Sequence, residues 1–236
     1  MSCTPPDPAS PLADLPAPRQ PSRLRQKGDR PMGTLSEVFS DSAADGAATG
    51  FVLAQLPLDG PVLWVQDRLS RREAGMPCMA GLPEGFDPIY VTVPRPVDVL
   101  WALEQGLGAA GLVGAIGEVW GDPPQLDFTA SKRLALRAEA QGVPCWLMRR
   151  AATPALSAAR ERWRVGSLPS LPDPDDSRAP GQPLWRAELF RSRFRAPASW
   201  VARHEEERGL VLEHGIEAGR EAAPGGGPEA DIAAGP

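Results

Sequence analysis

Gly111 to Met148 reads GLVGAIGEVWGDPPQLDFTASKRLALRAEAQGVPCWLM, and this stretch decides the fold class. Gly111 to Val119 is an apolar run without alternation, the pattern of a strand covered on both faces. Its glycines predict that another element packs close to the backbone. Leu126 to Gln141 has apolar residues at helical spacing, and Gly142 stands where a helix stop is expected. Pro144 to Met148 is a second buried strand. Strand, helix and strand in this order predict a right-handed crossover between parallel neighbours.

The same grammar extends toward the N-terminus. Pro61 to Val65 (PVLWV) and Pro88 to Val93 (PIYVTV) read as further buried parallel strands. Val97 to Leu107 carries Val97, Leu100, Trp101, Leu103 and Leu107 at a 3.6-residue period, so a helix is predicted. Leu35 to Phe39 reads as a short strand and Ser42 to Leu56 as a helix. Past Arg150 the pattern alternates. Arg162 to Leu168 and Leu184 to Phe194 read as amphipathic strands, joined by the polar connection Pro169 to Pro183. Trp200 to Arg203 and Leu210 to Glu213 read as two more. The expected class is α/β: a doubly wound, mostly parallel sheet with helices on both faces and an antiparallel extension at the C-terminal edge. The seven tryptophans, mostly flanked by aliphatics, are expected in the core.

Composition bounds the rest. The chain has 236 residues, of which 28 are proline, and a net charge of −5. Three segments are expected: a disordered or surface-draped Pro-rich arm over 1–30, one domain over 31–214, and a disordered acidic Gly/Pro/Ala-rich tail over 215–236. Neither end has enough apolar surface to offset its ordering entropy. The acidic balance argues against binding nucleic acid by bulk charge. Cys3, Cys78 and Cys145 have no metal-like spacing and read as free thiols of a reducing compartment. With only His204 and His214 and no GxSxG elbow, neither a histidine-rich metal site nor a hydrolase triad is expected. No apolar run approaches the ~18 residues of a membrane span, so a cytoplasmic protein is expected.

Ligands of doubly wound folds bind where strand ends meet helix N-termini. The first such junction runs from Glu37 to Ala48, EVFSDSAADGAA. Its layout is that of a phosphate loop, but its chemistry is not. A phosphate loop needs glycines for close approach, a lysine for the outer phosphates and a hydroxyl for magnesium. Here no Lys or Arg occurs from Pro31 through Asp67. Ser40, Asp41, Ser42, Asp45, Gly46 and Ala47 form a vestige of such a loop, and the two carboxylates would repel a triphosphate. Neither a nucleotide cofactor, a metal nor catalysis is expected. Gly106 to Gly111 matches GxGxxG by letters, but it follows a helix and precedes a strand, so it reads as a helix stop.

The positive feature is arginine. Arg160, Arg162 and Arg164 alternate in one predicted strand, and Arg191, Arg193 and Arg195 at the end of the next. A period of two places each set on one face, making a basic strip suited to an acidic protein surface or to phosphates, or an ordinary solvated face.

Several phrases in order carry a family resemblance. PMGTLSEVFSDSAADGAATGFVLAQL (31–56) resembles the RecA core around a decayed phosphate loop. PVLWVQDRLSRREAG (61–75) resembles its second strand and catalytic-glutamate loop, and GLVGAIGEVWG (111–121) the strand ending in a magnesium-binding acid. GEVWGDPPQLDFTASKRLALRAEAQGVPCWLMRR (117–150), RERWRVGSLPS (160–170) and WRAELFRSRFRAPASWV (185–201) resemble the alphaproteobacterial branch of the ImuA family. The resemblance implies a RecA-like fold and a non-catalytic accessory role in SOS-induced, error-prone translesion synthesis. It implies three partners: an ImuB-like inactive homologue of Y-family polymerases, an error-prone polymerase, and RecA, with a weak single-stranded DNA contact besides. Of the family's ATPase residues, only Asp67 and Glu118 have acids at matching places, and the lysine falls at Asp45 or Gly46. The alternatives are a SulA-like division inhibitor and an atypical DNA-stimulated ATPase.

Overall fold

A computed structural model describes residues 22–23, 33–57, 59–83, 85–176, 178–205 and 209–214. The strands are β1 (Ser22–Arg23), β2 (Leu35–Ser40), β3 (Pro61–Asp67), β4 (Asp87–Val93), β5 (Gly114–Trp120), β6 (Cys145–Arg150), β7 (Glu161–Leu168), β8 (Leu184–Ser192), β9 (Ala198–Glu205) and β10 (Gly209–His214). The helices are α1 (Ala47–Leu53), α2 (Arg68–Ala74), α3 (Pro96–Gly106) and α4 (Phe128–Gln141). All strands join one sheet in the order β1-β10-β9-β8-β7-β2-β6-β5-β3-β4. From β7 to β4 every pairing is parallel. From β7 to β1 every pairing is antiparallel. This is the α/β architecture expected from the sequence. Ser22–Arg23, within the segment expected as an arm, pair with Val211 and Leu212; the tail over 215–236 lies outside the described residues.

Two cores sit on opposite faces of the sheet, and alternation along each strand feeds them in turn. Val62 and Trp64 of β3 point to one, Leu63 and Val65 to the other. The first face is covered by α1, whose Phe51 meets the rings of Trp146, Trp163 and Trp185. The second is covered by α3 and α4 through Val99, Leu100, Leu103, Leu134 and Ala138. Each of these Val and Leu side chains, fully buried, contributes about 1.5–3 kcal/mol. Gly117 of β5 is the close approach that its sequence suggested. A Cβ there would lie 2.6 Å from Leu103 of α3 and 3.0 Å from Leu147. Gly142 ends α4 in the left-handed region at φ 66°.

Four expectations change. Pro88 to Val93, expected as a buried strand, lies in β4 at the edge of the sheet, where no residue is fully buried and Ile89 is exposed, because only β3 pairs with it among the described residues. The first helix begins at Ala47, not Ser42, because residues 41–45 are drawn into a turn and tied to β7. Arg68 to Ala74, expected as a loop, is the helix α2. Trp101 is not core; it lies one residue beyond the buried stripe of Val99, Leu100, Leu103 and Leu107, and 65% of its surface is exposed.

Candidate functional site

The C-terminal ends of β2, β3, β5 and β6 converge on the β2–α1 loop, where a ligand would sit in a doubly wound fold. The place is filled from within. Arg150, the last residue of β6, is buried and reaches under the loop. Its Nη1 donates to the carbonyls of Ala43 (3.3 Å) and Asp45 (3.0 Å), and its Nη2 to Thr49 Oγ1 (2.9 Å). Its Nε donates to Glu118 Oε2 at 3.1 Å. A phosphate cradle turns backbone N–H groups inward; this loop turns carbonyls inward, onto a cation. Ala47 and Ala48, which open α1, are buried methyl groups with no charge to offer. At seven residues α1 is also too short to present a substantial helix dipole.

Every acid at the junction is engaged. Glu118 also accepts from Trp64 Nε1 at 2.8 Å and Gln66 Nε2 at 3.2 Å. Tyr90 donates to Gln66, and burial, with the charge of Glu118, pushes its phenol up to about 12. Asp67 caps α2, accepting from the amides of Leu69 (2.7 Å) and Ser70 (2.8 Å), and accepts from the Trp120 amide at 3.1 Å. Asp45 accepts from the Ala47 amide at 2.8 Å and from the amide and hydroxyl of Ser167 at 2.8 and 2.6 Å. Burial opposes its charge, but those hydrogen bonds and Arg150 outweigh it and hold the carboxyl below its ordinary value. Asp41 pairs with Arg186. Gly46 is the N-cap position of α1. Ser40 ends β2, and its buried Oγ has no hydrogen-bond partner among the described residues.

The six arginines expected in one strip are separated. Arg162 is buried, its Nε 2.7 Å from Glu37 Oε2, between the rings of Phe39 and Phe190. It is therefore part of the interior and not of a surface strip. Arg164 pairs with Glu188 at 2.7 Å on the same face of the sheet. Strand β8 ends at Ser192, so Arg193 and Arg195 do not continue its alternation. Arg195 instead turns to the α1 face, pairing with Glu161 at 2.6 Å over the Trp163 ring. Arg160, Arg191 and Arg193 come together beside α4, with Arg160 paired to Glu139 at 2.5 Å.

No protein-family model matches the chain. Protein ImuA of Caulobacter vibrioides, in strains NA1000 and CB 15, is 32% identical to it over 200 residues, which is 76% of this chain and 78% of the relative. The chain belongs to the ImuA family. No helix among the described residues of this ImuA-family protein is long and apolar enough to cross a membrane. Its strand-end network had one sequence signal that alternation alone did not reveal. Glu37, Gln66 and Glu118 are polar residues inside otherwise apolar strands, and each must find a buried partner. Arg162 answers Glu37, and Arg150 answers Glu118.

Proposed function

We propose that this ImuA-family protein is a non-catalytic accessory factor in SOS-induced, error-prone translesion synthesis, and that it uses a RecA-like fold with a degenerate phosphate loop as a scaffold for partners. One observation carries the non-catalytic part: Arg150 occupies the space under the β2–α1 loop and binds its carbonyls. A nucleotide would have to displace a buried guanidinium that is paired to Glu118 and would meet Asp41 and Asp45 at the rim. Family membership supports the pathway. On this reading the partners are an ImuB-like inactive polymerase homologue, an error-prone polymerase and RecA, and the protein works in the cytoplasm.

Two measurements test the reading. Titration with labelled ATP and magnesium should give no saturable signal, and binding at low-micromolar concentration would overturn the non-catalytic assignment. Tagged protein recovered from DNA-damaged cells should bring down a polymerase-like partner, whereas recovery of a division protein alone would favour the SulA-like alternative.

A further inference from the structure

The face of α4 that looks away from the core forms a wall of an open cleft. Its opposite wall is the segment that enters β7 and the end of β8. The cleft encloses about 440 Å³, and Phe128, Lys132, Leu136, Arg160, Arg191 and Arg193 line it. Two features set it apart from an ordinary solvated face. Phe128 and Leu136, one α4 turn to either side of Lys132, are large apolar side chains left 43% and 51% exposed. Lys132, Arg191 and Arg193 are exposed, and none of the three has a carboxylate within ion-pair distance among the described residues. Glu139 stands at one edge; its bond to Arg160 holds its carboxyl below the ordinary value, with a smaller contribution from the charge of Arg193, which lies beyond ion-pair distance. Glu161, on the other face, is held by Arg195. The cleft is thus cationic, with apolar side chains on its α4 wall.

Its walls are also fixed. Ser131 of α4 accepts from the Ala158 amide at 3.0 Å, Thr34 donates to Glu139 at 3.4 Å, and the Arg193 amide donates to the Arg160 carbonyl at 2.8 Å. Behind the Ser157 wall, Ser157 Oγ donates to Glu37 at 2.7 Å, so both carboxylate oxygens of Glu37 are engaged, the other by Arg162 Nε. A preformed concave surface loses little entropy on binding.

We infer that this cleft docks an acidic segment of a partner protein that carries a pair of apolar anchor residues. The anchors pack on Phe128 and Leu136, to either side of Lys132, and the segment's carboxylates meet Lys132, Arg191 and Arg193. Charge complementarity selects this occupant. Arginine forks recognise carboxylates bidentately, and an apolar anchor in a pocket rimmed by charge is the usual anatomy of an interface centre. Single-stranded DNA would satisfy the cations but would leave the aliphatic Leu136 without a matched partner, whereas a pair of aliphatic or aromatic anchors covers both apolar side chains. The inference deepens the scaffold reading and rests on it for the existence of a partner.

The test uses the full chain and a fluorescein-labelled peptide of Glu and Asp residues around a central Leu-Phe pair. Fluorescence anisotropy should report saturable binding that weakens by about tenfold or more in R191E/R193E, as expected for reversing interfacial charge. It should weaken comparably in L136S, and when Ser replaces the peptide's Leu-Phe pair. Equal binding by wild type and both variants overturns the assignment, as does no binding at all. Tighter binding of labelled oligo-dT than of the peptide, lost in R191E/R193E, overturns it in favour of nucleic acid. The chain's own acidic tail is a further rival. If E217Q/E221Q/E229Q/D231N in the full chain tightens peptide binding by about tenfold, comparable to removing an intramolecular competitor, the tail is the native occupant and the partner assignment fails. If R191E/R193E still recovers its polymerase-like partner from damaged cells, the cleft is wrong while the scaffold reading stands. If wild type recovers none, the scaffold reading itself is wrong.

Discussion

The strand-end junction and the α4–β8 cleft are both rich in arginine, and they treat it in opposite ways. At the junction, Arg150 has four oxygen partners: Glu118, Thr49 and the carbonyls of Ala43 and Asp45. In the cleft, Arg191 and Arg193 face solvent, with no carboxylate in ion-pair range among the described residues. A charge whose bonds are satisfied internally has little left to offer a ligand, and its removal damages the fold. A charge held in solvent costs the fold little when removed and is available for recognition. The contrast separates scaffold from surface without reference to any relative.

The harshest way to break the comparison is Arg150→Met. It leaves Glu118 buried and unpaired and two loop carbonyls without donors. Loss of one partner from a buried pair costs about 3–5 kcal/mol, so the denaturation midpoint should fall steeply, and the variant should be at the limit of folding. Arg150→Met with Glu118→Gln removes both charges and should recover part of that loss. Equal stability of Arg150→Met and wild type in urea would show that the junction is not closed by this pair.

Asp67→Ala comes next. It removes the cap of α2 and the acceptor for the Trp120 amide. N-cap removal costs about 0.5–2 kcal/mol, and the orphaned, partly buried amide adds about 1 kcal/mol, the low end for an unsatisfied donor. The expected loss in chemical denaturation is therefore larger than for a surface cap. Asp67→Asn, which keeps an acceptor oxygen, should lose less.

Most of the fold was legible because its central parallel strands are covered on both faces, so apolar runs such as PVLWV and PCWLM mark them. The buried ion pairs were harder to read. A period of two tells which side of a strand a residue takes, but not whether that side is wet. Arg162 and Arg164 share a side in β7, yet one is interior and the other at the rim, because Glu37 of the neighbouring β2 meets only the first. The helix α2 was missed because RLSRREA buries only Ser70; its mark in the sequence is Asp67, a capping residue at the end of an apolar strand. The junction's missing lysine was plain in the sequence, whereas the arginine filling its place comes from β6, more than a hundred residues from the loop it binds.

Asp45 gives a smaller, pH-dependent test. Its carboxyl is held below its ordinary value of 3.8 by Ser167, Ala47 and Arg150 in spite of its burial. A depressed folded-state value means stability that is present above the unfolded value and lost as the pH falls through the folded one. Wild type and Asp45→Asn should therefore differ at neutral pH and converge as the pH drops below 3.8. A difference that stays constant across that window would show that the Ser167 contact does not depend on the charge.

The smallest effect on stability belongs to the cleft, and it sharpens the contrast most, because Arg191 stands directly opposite Arg162 in the β7–β8 ladder. Arg162→Ala leaves Glu37 buried with Ser157 as its remaining hydrogen-bond donor and only the charge of Arg149 to offset its own, and should cost about 3 kcal/mol, the lower end for breaking a buried pair. Arg191→Ala removes an exposed side chain with no such partner, and substitutions of that kind usually stay within about 0.5 kcal/mol of wild type. Two arginines on the same face and in register should thus differ severalfold in their cost, and their binding effects should run the other way. Parallel urea denaturation of both variants reads the first difference directly. Comparable losses would mean that Arg191 is tied into the interior, and the cleft would then have no cation to offer a partner at that position.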